Sequence, residues 1–135
     1  MPEDHHEGSC IVVVATDAPL LPHQLRRVAE RAGMGLARGG SHASNTSGEQ
    51  LIAFSTAARV PRDDKPFAPP AIADGPRAGT ILSPLFRATV EATEEAVVNA
   101  LLAARTMTGR DGHTLHALPV DRTLELVDAA GRLAR

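Results

Sequence analysis

Gly8-Ser9-Cys10-Ile11-Val12-Val13-Val14-Ala15-Thr16-Asp17-Ala18-Pro19, or GSCIVVVATDAP, is the stretch on which the reading of this chain turns. Ile11–Ala15 is apolar and rich in β-branched residues, without alternation, which is the pattern of a strand covered on both faces. Asp17-Ala18-Pro19 ends it, with Asp17 read as the cap of a turn before the proline. Ahead of the strand a serine follows a glycine, and that bond has chemistry of its own. The Ser9 hydroxyl can attack the Gly8 carbonyl, and hydrolysis of the ester leaves Ser9 as a new N-terminus. A terminal serine carries nucleophile and base in one residue, because its free α-amine, with a pKa of roughly 8 when unperturbed, accepts the hydroxyl proton.

Working outward, the periodicity predicts a helix from about Pro22 to Arg38. Proline suits a first helical position, where its missing N–H costs nothing. Leu25, Val28, Ala29, Ala32 and Leu36 form one apolar face, Arg26, Arg27, Glu30 and Arg31 the other side, and Gly39-Gly40 the stop. His23 reads as a surface residue. Gly40–Gln50 then holds no apolar side chain larger than alanine. It is either a flexible linker or a wall of small polar donors, and the strand predicted at Leu51–Ser55 directly after it favours the wall.

Ala58–Gly79 carries five prolines and the charged cluster Arg62, Asp63, Asp64 and Lys65, and reads as a long surface loop. Ser83-Pro84 has the signature of a helix start. Phe86, Val90, Thr93, Val97, Leu101 and Ala104 continue it to about Met107, with Glu91, Glu94 and Glu95 on solvated faces. A turn at Thr108–Gly112, a strand at Thr114–Leu118 and a last helix capped by Asp121 complete the order β–α–β–loop–α–β–α. From these elements the class is α/β or α+β.

At 135 residues the chain fits one domain, with a leader over 1–8 and a single domain over 9–135. Hydrophobic residues make up 43% and aromatics only 2%, so the core has to be aliphatic and alanine-rich. A net charge of −2, with dispersed arginines, gives no electrostatic case for nucleic acid or an anionic membrane. The single cysteine, Cys10, forbids an internal disulfide and fits a reducing compartment. With no apolar leader segment, a cytoplasmic location is the expectation. His5-His6 lacks further ligand spacing, so neither a metal site nor a cofactor is expected.

GSCIVVVATDAPLLPHQLRR, with GSHASNTSGEQLIAFSTA (Gly40–Ala57) and ATEEAVVNALLAARTMTGRDGHTLHALPVDR (Ala92–Arg122), resembles the β-chain of the L-aminopeptidase/D-esterase family of self-cleaving serine peptidases. The resemblance implies a four-layered α-β-β-α sandwich of the N-terminal-nucleophile type. It also implies cleavage at Gly8–Ser9 and catalysis by Ser9, with Ser47 and Glu49 of the Ser47-Gly48-Glu49 motif orienting and activating the nucleophile. Asn45, Thr46 and Gly48 would belong to the substrate-pocket loop. The family usually has glycines around this asparagine, where Ser44 and Thr46 stand here.

In that family the precursor splits into a larger α-chain and a smaller β-chain, and strands of both share the same sheets. Partners implied are therefore an α-chain-like polypeptide, further αβ units in a homo-oligomer, and a small peptide, amide or ester substrate. The oxyanion donors would lie in the α-portion. Two other readings stand beside this one. The chain could be an orphan β-chain with a binding or assembly role, or a relative of the ornithine acetyltransferases, which use a threonine where Ser9 stands.

Overall fold

The computed structural model describes residues 8–63 and 66–133, so His5-His6 and most of the leader lie outside the described residues. Strand β1 (Cys10–Thr16) pairs in parallel with strand β2 (Glu49–Ser55), Cys10 opposite Glu49 and Thr16 opposite Ser55. Parallel partners cannot be joined by a tight turn, and helix α1 (Pro22–Arg38) makes the crossover between them. The residues just before β1 and just before β2 therefore meet at one end of the sheet. β2 opens at Glu49 rather than at Leu51, because the ladder needs only backbone groups and takes in the polar Glu49 and Gln50 as well.

Helix α1 has the predicted bounds and the predicted face. Val28, Ala29, Ala32 and Leu36 are buried on it, and Leu25 is half-buried. Gln24 is fully buried too, although a polar side chain there has to be paired to be tolerated. Its Oε1 accepts the Leu21 N–H at 2.9 Å, closing the helix start that the leucine side chain cannot cap. Its Nε2 donates to the Ile72 carbonyl at 3.0 Å and to Asp74 Oδ1 at 2.8 Å. His23 Nε2 lies 2.6 Å from Asp74 Oδ2, so both ends of that carboxylate are bound to the start of α1. The turn after β1 is closed by Thr16, not by Asp17: its Oγ1 accepts the Ala18 N–H at 3.1 Å.

Helix α2 (Ala78–Ala103) begins five residues before the Ser83 cap expected from the sequence, and Pro84 sits inside it. An interior proline costs roughly 3 kcal/mol through its missing N–H and its clash one turn back. Against that, the earlier start carries Ala78 and Leu82 into the core cluster with Leu20 and Val28. Thr89 and Thr93 are also buried, and their hydroxyls donate to the Leu85 and Thr89 carbonyls, each at 2.8 Å. Arg27 and Arg31 of α1 stack on the Phe86 ring of α2, 5.0 and 4.3 Å from its centroid. α1 and α2 approach closely at Gly35, where an added Cβ would lie 2.5 Å from Thr93 Cβ and 2.6 Å from the Val90 carbonyl oxygen.

The chain divides into two compact units after Glu95. In the second, strands β3 (Met107–Thr108) and β4 (Thr114–Leu115) form a small antiparallel hairpin, with a 3₁₀ turn at Arg110–Gly112 between them. Thr108 is thus in a strand and not in the turn, and the strand expected over Thr114–Leu118 is only two residues long. α2 stops at Ala103, short of Met107. Helix α3 (Val120–Ala129) starts after Pro119, which places Asp121 within its first turn instead of at its cap. No described residue of this unit is buried.

In the first unit, alternate residues of the sheet face α1 and the core, Val14 and Ala53 among them. The others face away: Ile11 is 68% and Val13 59% exposed, beside Ile52 and Phe54 of β2. Among the described residues of this unit, the non-alternating sequence of β1 is therefore covered on one face only. Both edges of the pair are unpaired among the described residues. No described helix is long and apolar enough to cross a membrane.

Two expectations follow from α1. Gly35→Ala gains about 1 kcal/mol of helix propensity but overpacks against a backbone oxygen at a cost of roughly 1–3 kcal/mol. Its urea midpoint should fall below wild type; a rise would contradict the close contact. The Asp74 carboxyl is held below its usual range, first by Gln24 and then by His23. A depressed folded pKa gives stability that is complete above the ordinary carboxylate range and is lost as pH falls through the folded value. The thermal midpoint of Asp74→Asn should accordingly vary less with pH than that of wild type between about pH 5 and pH 2.

Candidate active site

The end of the sheet where β1 and β2 begin gathers the residues marked out in the sequence. Ser9 immediately precedes β1, and Gly48 immediately precedes β2. The Gly48 N–H donates to Ser9 Oγ at 3.2 Å, and the Cys10 N–H donates to the Gly48 carbonyl at 3.3 Å. One glycine thus holds both the backbone and the hydroxyl of the Ser9-Cys10 pair. Ser47 and Glu49 are two apart along the chain and joined side chain to side chain, Ser47 Oγ donating to Glu49 Oε1 at 2.7 Å. A bond to a charged acceptor is about twice as strong as a neutral one. It also commits the only hydrogen of the Ser47 hydroxyl, so toward any further neighbour that oxygen can only accept.

The loop behind these residues is irregular but not slack. It leaves α1 through Gly40, whose φ of 103° only glycine adopts cheaply. Ala43 takes a left-handed φ of 48°, which costs an alanine roughly 1–2 kcal/mol. Ser44 accepts the Ser47 N–H at 2.8 Å, making Asn45 and Thr46 the tip of a turn. Neither Ser44, Asn45 nor Thr46 has a positive φ, so the side chains that stand where the family usually has glycines fit the turn without strain. Asn45 and Thr46 are exposed, while Ser47 and Glu49 are half-buried. The site is open: Gly8 and Ser9 are both exposed, and a Cβ on Gly8 would meet nothing within 4 Å.

Sequence reasoning missed the part played by Gly48, because its contribution is a backbone N–H. No signal in the sequence marks that N–H: the register sets it, because the residue directly ahead of the strand position paired with Cys10 has to sit beside Ser9. Among the described residues no cluster of three or more metal-ligating side chains occurs.

Comparison with known proteins bears on this arrangement. The sequence profile of peptidase family S58 matches residues 1–115. The chain belongs to that family. It is 44% identical over 128 residues to the beta-peptidyl aminopeptidase of Sphingosinicella xenopeptidilytica, covering 95% of this chain and 31% of the relative. Among solved structures it matches the L-aminopeptidase D-Ala-esterase/amidase of Ochrobactrum anthropi at 40% identity and a TM-score of 0.79, over 92% of this chain and 34% of that one. A beta-aminopeptidase from a Burkholderia species matches at 35% identity and a TM-score of 0.77, over 92% of this chain and 35% of that one. The Ochrobactrum enzyme is described as a prototype of the serine aminopeptidases and a variant of the Ntn hydrolase fold, and this chain has the corresponding part of that fold. The resemblance read from GSCIVVVATDAP and the Ser47-Gly48-Glu49 motif is borne out at the level of family and fold. The chain spans about a third of the length of these relatives.

The Ser47–Glu49 bond has a measurable consequence. A double-mutant cycle of Ser47→Ala and Glu49→Ala in urea unfolding should show a coupling of about 1 kcal/mol, the bond being only half-buried. Additive effects would mean that the pair does not form in solution.

Proposed function

We propose that the chain is the β-chain of a serine aminopeptidase and that its nucleophile, Ser9, is generated by autocleavage of the Gly8–Ser9 bond. The observation that carries this is the placement of the Ser9 hydroxyl against the Gly48 N–H, at the sheet end that also holds the Ser47–Glu49 pair. The names of the relatives point to substrates with a free N-terminal residue joined through a peptide, amide or ester bond.

In the proposed cycle Ser9 Oγ attacks the scissile carbonyl, its proton passing to the freed Ser9 α-amine and then to the leaving group. The N-terminal residue stays behind as an ester on Ser9, and water activated by the same amine releases it. Ser47 and Glu49 orient the hydroxyl and the ammonium: the carboxylate fixes Ser47 as an acceptor, the group that either of them needs as a partner. Before cleavage the Ser9 nitrogen is an amide and cannot act as a base.

The remaining two-thirds of the relatives' length is assigned to an α-chain-like partner. That partner would cover the apolar face of Ile11, Val13, Ile52 and Phe54 and complete the sandwich and the pocket. Association of such αβ units into a homo-oligomer and a cytoplasmic location complete the proposal, which calls for no cofactor. The orphan reading keeps a place because the nucleophile and its neighbours are here without a walled pocket around them.

Intact-mass measurement of the chain co-expressed with its complementary portion tests the proposal. Wild type should yield a product that starts at Ser9 and hydrolyses an aminoacyl p-nitroanilide. Ser9→Ala should keep the Gly8–Ser9 bond and lose at least about 10³-fold in rate. A wild-type chain that stays uncut in that assembly would sink the terminal-serine mechanism and leave the orphan reading.

A further inference from the structure

The parallel register says more about Gly48 than its contact with Ser9. With Cys10 opposite Glu49, the Cys10 N–H donates to the Gly48 carbonyl, as the ladder requires. One rung earlier, the same pattern would have the Gly48 N–H donate to the Gly8 carbonyl. It donates instead to Ser9 Oγ, at 3.2 Å. The last rung of the sheet has been diverted from the carbonyl beside the scissile bond to the hydroxyl one residue on. The diversion exists with the Gly8–Ser9 bond intact, since Gly8 and Ser9 are continuous in this chain.

Three effects follow from that one hydrogen bond. It fixes the Ser9 side chain on the sheet side of its own backbone. It occupies one lone pair of Oγ and leaves the hydroxyl hydrogen to be donated elsewhere. It also stabilises negative charge on Oγ as that proton leaves. We propose that the Gly48 N–H is a positioning group for self-cleavage, acting on Ser9 Oγ in the uncut chain; this rests on the cleavage reading above.

In the step it serves, Oγ bonds to the Gly8 carbonyl carbon and the Gly8–Ser9 C–N bond breaks. The hydroxyl proton ends on the Ser9 nitrogen, giving an ester and an amine. Water then adds across the ester, its OH to the Gly8 carbon and its hydrogen to Oγ. The Gly48 N–H acts in the first of these two reactions.

The test compares Gly48→Pro, which removes the N–H, with Gly48→Ala, which keeps it. The alanine Cβ would lie 3.8 Å from Ser9 Oγ, an ordinary contact. Each is co-expressed with the complementary portion, and appearance of the Ser9 terminus is followed by intact mass, with and without hydroxylamine. Loss of a hydrogen bond to an oxygen that gains negative charge should slow Gly48→Pro at least about tenfold, and Gly48→Ala should stay several-fold faster than Gly48→Pro. Hydroxylamine attacks only the ester, leaving Gly8 as a hydroxamate, so it should not speed up a variant that is slow at the first reaction.

Equal rates for the two variants, or recovery of the wild-type rate by hydroxylamine, would overturn the inference while leaving Ser9 as the nucleophile. A wild-type chain that never exposes Ser9 overturns the cleavage reading and this inference with it. Should Gly48→Pro lose the wild-type circular dichroism spectrum, semisynthetic replacement of Gly48 by glycolic acid removes the same hydrogen without the ring. It carries the same expectation and the same refutation.

Discussion

The parallel pairing of β1 with β2 is the constraint on which the rest depends. An antiparallel pair would set the start of one strand beside the end of the other and leave Ser9 about 20 Å from Glu49, the length of a seven-residue strand. The parallel pair puts them at one end, and it can do so only because α1 returns the chain across the sheet. The buried stripe of α1, its fully buried Gln24 and its close contact with α2 at Gly35 all hold that return path in place. The site is thus a product of connectivity first and of side chains second.

The Pro-rich segment leaves β2 at the end of the sheet away from the site, and its Ile72 and Asp74 are pinned by Gln24 and His23 at the start of α1. Ile72 adds a backbone bond to the Pro19 carbonyl at 2.9 Å. The tight links on this stretch serve the fold of the first unit, and they lie at the opposite end of the strands from Ser9.

How much could be read beforehand differs from element to element, for physical reasons. α1 was legible to the residue because proline, a one-sided apolar stripe and a double glycine all gave the same answer. The start of α2 was not, because Ser83-Pro84 is a strong local start signal, whereas the need to bury Leu82 is tertiary and outweighs it. β3 has two residues and no pattern to read. At the site, Ser9, Ser47 and Glu49 could be named from motif and resemblance. Gly48 could be placed in the pocket loop but not as the donor that touches Ser9, since every residue but proline has an N–H and only the register tells which one arrives. The full-length apolar run of β1 was also ambiguous. It states that both faces are to be covered, and within the first unit the described residues supply cover for one.

That bare face makes time and concentration part of the fold. A two-stranded sheet with open edges and an apolar side is a template for copies of itself, and at micromolar concentration such encounters compete with correct closure. A covering segment joined to the same polypeptide acts instead at an effective concentration in the millimolar range. Covalent continuity ahead of Ser9 would then matter most while the chain is folding, and least afterwards. Cutting the backbone at Gly8–Ser9 once the sheet is covered would give up a tether whose work is finished.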